Sequence, residues 1–196
     1  VPCSSKISIP SWTPSLLINK YTVKIFNFLY YNLQFKKIKK SKLSFDRFFY
    51  PLDGLNNWNN LYGKNGFIQY QFILPKEQSY KGMNEILKFI ASEGLFSFLA
   101  VLKLYGEENE NYLSFPLKGY SLAIDFKLSK SLYDVLKKLD KIVLKYKGRI
   151  YLSKDVRINK EDFEMNYSKI NQFRNIREKY QMNKKFQSLQ SKRVKI

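Results

Sequence analysis

The stretch Phe48–Pro75, FFYPLDGLNNWNNLYGKNGFIQYQFILP, decides the architecture of this chain. A Pro-terminated aromatic run ends at Tyr50-Pro51, and an Asn/Gly-rich loop with one Trp follows from Asn56 to Gly66. A strand at 67–74 then alternates Phe67, Gln69 and Gln71 against Ile68, Tyr70 and Phe72 and stops at Pro75, which has no N–H for a strand ladder. Two glutamines on one face of a strand otherwise rich in β-branched and aromatic residues are costly to bury unless hydrogen-bond partners meet them. A polar ligand is one candidate partner.

C-terminal to Pro75, Ile86, Leu87 and Ile90 mark the inward side of a helix that ends near Gly94. Strands at 96–105 and 119–127 flank a polar, acidic loop from Glu107 to Asn111. A second helix at 130–147 sets Leu132, Val135, Leu136, Leu139, Val143 and Leu144 at i, i+3, i+4 spacing, with Gly148 as its C-terminal stop. A short strand at 149–152 completes the order β-α-β-β-α-β. That order predicts an α+β fold of the ferredoxin-like kind, an antiparallel four-stranded sheet with helices on one face. C-terminal short helices are expected at 160–167 and 168–180, followed after Met182 by a polar, basic tail.

On the N-terminal side, Leu17, Tyr21, Ile25, Phe28 and Leu29 recur at helical spacing within residues 16–35, so an N-terminal helical extension is expected. The basic run Lys36–Lys42 reads either as a solvated connection or as an anchor for acidic lipid head groups. Three units follow: 1–47, a helical and basic extension; 48–158, the sheet domain; and 159–196, C-terminal helices with a basic tail.

The 196 residues contain one cysteine, Cys3, and no histidine. A single thiol excludes an intrachain disulfide and a cysteine-cluster metal site. Without histidine, neither a Ser-His-Asp triad nor a histidine base can be built from this chain, and no metal site of the usual kind is expected. Chemistry performed here falls to Lys, Tyr, Asp or Glu, or to a cofactor. The formal charge of +19, from 35 basic and 16 acidic residues, ordinarily points to nucleic acid or an anionic membrane. The lysines, however, spread along almost the whole chain beside abundant Asn, Ile, Phe and Tyr, a trend of overall composition more than a patch aimed at a polyanion. No apolar run approaches the roughly 20 residues that span a bilayer. The first residue is Val, and VPCSSKISIP lacks the basic and apolar regions of a secretory signal. The expectation is a longer product, which leaves export open.

Two helices on one face of a sheet leave the other face for whatever lies opposite, and strand side chains alternate between the two. Gln69 and Gln71 share one set on the first strand, Leu99, Val101 and Lys103 on the second, and Ser121, Ala123 and Asp125 on the third. A lysine among apolar strand neighbours must find an anion, an acceptor or water, so Lys103 either pairs with Asp125 or meets a ligand. Lys154 follows the last strand in Ser153-Lys154-Asp155-Val156-Arg157. Loops off a rigid sheet commonly carry function, although a plain surface lysine is the simpler reading.

Four separated blocks stand in the order of a known family: Phe48–Pro75, SFLAVLKLYG at 97–106, LSFPLKGYSLAIDF at 113–126 and GRIYLSKDVR at 148–157. On these blocks the chain resembles the C-terminal half of the FAD-linked oxidoreductases of the vanillyl-alcohol-oxidase-like superfamily, in the branch that includes decaprenylphosphoryl-β-D-ribose 2′-oxidase. The resemblance implies oxidation of a secondary alcohol of a sugar, a polyprenyl-phosphoryl pentose, in a 2′-epimerisation pathway of cell-envelope biosynthesis. It implies that Tyr50, Gln69, Gln71, Leu99, Val101, Lys103, Ser121 and Ala123 line the substrate side of the flavin. It also implies that Lys154 reaches the flavin ring and the sugar, where a fixed cation would stabilise charge developing at the flavin N1/C2 carbonyl during hydride transfer. Lys154 and Tyr50 are thus the candidate catalytic residues, and Lys154 the cofactor contact. Read alone, Tyr50 is equally a core aromatic with a bonded hydroxyl.

The departures from the family are informative. Ser121 and Ala123 stand where the mycobacterial enzyme has Asn and Cys, and Met182-Asn183 stands where Asp-Pro is usual. The family holds FAD mainly through an N-terminal domain with a glycine-rich phosphate-binding stretch, and none of the eight glycines here forms one. The expectation is that 48–158 is the substrate (cap) domain of a flavoenzyme, truncated or encoded apart from its FAD-binding domain, and inactive alone. Expected partners are that FAD-binding domain, a lipid-linked sugar phosphate as substrate, a peripheral membrane surface and a short-chain reductase acting next, all in the cytoplasm, with no nucleic acid. Two readings compete: an RNA-binding ferredoxin-like module, from the likeness of Asn65–Tyr70 to an aromatic strand signature, and an inactive truncated remnant.

Overall fold

The alternation at 67–75 does build a strand, and the elements around it follow the expected order. The computed structural model describes residues 7–14, 17–33, 35, 38 and 40–196, with Arg47 and Pro51 placed by backbone alone. Cys3 and, within the basic run, Lys36, Lys37 and Lys39 lie outside the described residues. Ile7–Ser8 (β1) pairs in parallel with Leu55–Asn56 (β2), with helices Lys20–Asn32 (α1) and Phe45–Phe49 (α2) between them. Then come Phe67–Pro75 (β3), Lys76–Ser92 (α3), Ala100–Tyr105 (β4), Gly119–Lys127 (β5), Leu132–Lys145 (α4) and Arg149–Ile150 (β6). The chain closes with Lys160–Asn166 (α5), Ile170–Lys179 (α6), Met182–Lys185 (α7) and Leu189–Val194 (α8).

The four-stranded sheet runs β4-β5-β3-β6, antiparallel throughout. Numbering its strands by sequence, that is the order 4-1-3-2 read from the other edge, the split βαβ arrangement. One face carries Tyr70, Phe72 and Leu74 of β3 and Leu122, Ile124 and Phe126 of β5, all buried against Ile86 and Ile90 of α3 and Leu132, Leu136, Leu139 and Val143 of α4. Leu87, expected inward, is half exposed instead. It sits one residue past Ile86, about 100° around the helix, while the i, i+4 pair Ile86 and Ile90 faces the sheet.

Three boundaries differ from expectation. The second strand pairs only from Ala100, and the last pairs only over Arg149–Ile150 before a 3₁₀ turn at Leu152–Lys154. At the end of α4 the left-handed residue is Lys147 (φ 55°), not Gly148. The Gly148 and Lys147 N–H groups donate to the Val143 and Leu144 carbonyls, each at 2.9 Å, closing a Schellman-type stop. Gly148 is required for a different reason: a Cβ there would lie 2.7 Å from the Ile73 carbonyl oxygen.

The segment after Met182 is ordered by the fold. Val194 is fully buried, and Arg193 donates to the carbonyls of Ile158 (3.0 Å) and Val156 (2.9 Å) and pairs with Asp155 at 2.6 Å. Phe163, Tyr167, Ile170 and Val194 join the same buried cluster as the sheet. By contrast, α1 buries none of its residues. No helix among the described residues is long and apolar enough to cross a membrane.

Candidate functional site

Register assembles the site. On the face of the sheet away from α3 and α4, Gln69 lies opposite Asp125, Gln71 opposite Ala123, Val101 opposite Ala123 and Lys103 opposite Ser121. Leu99 joins them through its carbonyl, which accepts from the Asp125 N–H at 3.2 Å. Seven of the nine candidate residues therefore share one face: Gln69, Gln71, Leu99, Val101, Lys103, Ser121 and Ala123. This face is not bare. Gln71, Ile73, Ser121, Ala123 and Asp125 are all buried.

Aromatic residues close the face at both ends. Tyr62 stacks on Phe67 with centroids 4.7 Å apart at one end, and Phe115 packs on Tyr151 at 4.4 Å and on Tyr105 at 5.9 Å at the other. Tyr62 comes from the Asn/Gly-rich loop, where Asn57 (φ 56°) and Gly63 (φ 76°) turn the chain on either side of a 3₁₀ turn. Burial, with the negative charge of Asp125 adding to it, pushes the Tyr62 hydroxyl up to about 12, so it stays neutral at physiological pH.

The two glutamines find partners inside the sheet. Gln69 Nε2 donates to Asp125 Oδ1 at 2.8 Å, and Gln71 Nε2 donates to Ser121 Oγ at 3.2 Å. A carboxylate only accepts, so Gln69 must turn its NH₂ toward Asp125 and present its carbonyl oxygen elsewhere. Asp125 Oδ2 is buried without a hydrogen-bond partner. Burial raises the Asp125 carboxyl above its ordinary value, while the Gln69 hydrogen bond and the charge of Lys154 pull it partly back. The alternative pairing of Lys103 with Asp125 does not form. Lys103 sits opposite Ser121, four residues along β5 from Asp125, and is exposed on the edge strand.

Lys154 closes the last turn after β6 and shares a cleft with Gln69, Gln71 and Tyr151. Its loop is pinned from beneath. Tyr151 N–H reaches the Gln71 carbonyl at 2.9 Å, and Arg157 holds Asp140 of α4 through both terminal guanidinium nitrogens, Nη2 to Oδ1 at 2.6 Å. Tyr70 Oη donates to the same carboxylate at 2.8 Å. This buried network ties β3, α4 and the Lys154 loop into one unit, and leaves Lys154 itself exposed above it.

Tyr50 is placed apart from the rest. It caps α2, donates its N–H to the Asp46 carbonyl at 2.8 Å, and is half exposed with its ring 6.0 Å from Phe45. It is therefore no core aromatic, and no described contact joins it to the sheet face. Asp125 and Tyr62 belong to the site although sequence reasoning put neither among the candidate site residues. Asp125 was visible as the charged member of its strand face, whereas nothing local marked Tyr62.

The cleft between Gln69, Gln71, Tyr151 and Lys154 has about 10 Å³ of space, room for about one water and far short of a sugar. Two larger adjoining hollows, about 320 and 570 Å³, share Ser11, Trp12, Gly63 and Lys64, and none of the expected site residues lines them.

No family model matches the chain. It is 33% identical over 190 residues, 97% of its own length, to the decaprenylphosphoryl-beta-D-ribose oxidase of Mycolicibacterium smegmatis. The match covers 41% of that oxidase and is consistent with its C-terminal part. Over 96 residues, 48% of the chain and 26% of the relative, it is 28% identical to an uncharacterized protein in the mprA 5'region of Streptomyces coelicolor.

Proposed function

We propose that the chain is the substrate-side, C-terminal part of an FAD-dependent oxidoreductase that oxidises a secondary alcohol of a sugar, a polyprenyl-phosphoryl pentose. The observation that carries this reading is the polar row of one sheet face, Gln69 on Asp125 and Gln71 on Ser121, with Lys154 at its rim. The name of the mycolicibacterial relative supplies the reaction class and the lipid-linked ribose.

The described residues fit one side of a flavin and not the other. Lys154 offers a cation beside a polar face, suited to negative charge building on the ring. Among the described residues no glycine-rich loop opens onto a helix start, so nothing here cradles a pyrophosphate. The FAD-binding part must come from another stretch of protein. When bound, the flavin would accept the hydride. The chain's own residues orient the substrate: with their NH₂ groups committed to Asp125 and Ser121, Gln69 and Gln71 present carbonyl oxygens that select hydroxyl donors. Lys103 and Lys154 supply positive charge on the same side for an anionic substrate. Ser121 and Ala123 keep the floor small, and Leu99 and Val101 give it an apolar border.

The test is purification of the chain alone and co-expressed with an FAD-binding part of such an oxidase. The expected result is flavin absorbance only in the complex, with reduction of that flavin by polyprenyl-phosphoryl ribose lost in Lys154→Ala while the flavin stays bound. Flavin held tightly by the chain alone, or reduction indifferent to Lys154→Ala, overturns the reading.

A further inference from the structure

Helix α1 is an anomaly for a folded chain. Its 13 residues include none that is buried, and Ile25, Phe26, Phe28, Leu29, Tyr30 and Tyr31 are between 55% and 80% exposed. At 100° per residue these side chains occupy nearly the whole circumference, leaving a narrow strip for Lys20, Lys24 and Asn27. A helix apolar over so wide an arc is a buried helix, not a solvated one. The next helix repeats the pattern. Phe45, Phe48 and Phe49 of α2 are well exposed, Phe49 packs against both Phe45 and Phe48, and Phe45 packs on Tyr50, a candidate site residue.

Resting on the flavoenzyme reading above, we propose that α1 and the aromatic cluster of α2 form the docking face for the flavin-binding part of the oxidase. Two observations select that occupant. The match covers 41% of the mycolicibacterial oxidase, so more than half of that protein lies outside it. Residues 1–45 carry eight lysines and no Asp or Glu, so the occupant has an apolar centre with an acidic rim. A bilayer would take a helix with one apolar face and a broad polar one, which α1 does not offer.

The probe is the part of the mycolicibacterial oxidase outside the 190-residue match. It is co-expressed with the full chain carrying a tag, and its own flavin spectrum reports that it is folded. The expected result is a complex with the wild-type chain and with Tyr80→Glu, a control at an exposed residue of α3. Phe28→Glu with Leu29→Glu should weaken that complex by about a hundredfold or more, as for central interface anchors. Both side chains are exposed, so the thermal transition of the lone chain should not move. A complex undiminished by the double variant overturns the docking face and leaves the flavoenzyme reading standing. A folded probe that never binds the wild-type chain overturns both. Binding of the lone chain to phosphatidylglycerol vesicles, or a dimer by light scattering, that the double variant abolishes in place of the complex makes a bilayer or a second copy the occupant and overturns the proposal.

Discussion

Asp125→Asn should stabilise this protein at neutral pH. The side chain is fully buried, Oδ1 accepts one hydrogen bond from Gln69 and Oδ2 accepts none. A buried charge with half its acceptor capacity unmet costs more than a neutral buried amide with an unmet NH₂, and asparagine keeps the acceptor that Gln69 needs. The net gain is about 1–2 kcal/mol at pH 7. At about 2–4 °C per kcal/mol for a chain of this size, Tm should rise by about 2–8 °C. The pH dependence gives a second readout. Burial raises the folded-state pKa of Asp125 above its unfolded value, so the folded state holds this proton more tightly than the unfolded chain does. Its stabilising contribution is therefore full below the unfolded value and is lost as pH rises through the folded one. Wild type should gain on the Asp125→Asn variant as pH falls from 7 toward 4, and urea melts of both along that range isolate the difference from every other carboxylate. A variant less stable than wild type by more than about 1 kcal/mol at pH 7, or a gap that does not narrow on acidification, refutes the reasoning.

Lys154→Ala removes a charge that pulls the Asp125 carboxyl down, so the pH window in which wild type and Asp125→Asn converge should move upward. Melts on the Lys154→Ala background check this, and an unmoved window means that Lys154 does not act on Asp125. Arg157→Leu leaves Asp140 buried with only Tyr70 for company and should cost about 3–5 kcal/mol in urea unfolding. A loss under about 1 kcal/mol would show that the Lys154 loop is not held by this pair. Gly119→Ala would drive a Cβ onto the Leu74 carbonyl oxygen, where the backbone of β5 closely approaches the start of α3. A loss of about 3 kcal/mol or more is expected in thermal or urea melts, and a neutral result would mean that the strand shifts freely.

What the sequence by itself determined is the order of elements and the sidedness of each. Periodicity of two placed Gln69 and Gln71 on one face of β3 and Ser121, Ala123 and Asp125 on one face of β5, and periodicity of 3.6 placed Leu132, Leu136, Leu139 and Val143 inward on α4. Proline and the turn residues bounded β3 and β5 to within a residue of their observed ends. Alternation reports which side of a sheet a residue faces, but not which residue stands across from it. That pairing is a property of two strands that are separate in sequence, so only the tertiary structure decided that Asp125 meets Gln69 while Lys103 meets Ser121. The same limit hid Tyr62, whose loop is folded over the face by left-handed turns, and Val194, carried into the core by a segment whose composition reads as a solvated tail. Arg157 and Asp140, 17 residues apart, look like ordinary surface charges until α4 and the loop after β6 are packed together. In water each would be worth little to the other. Buried beneath Lys154, they set where it stands.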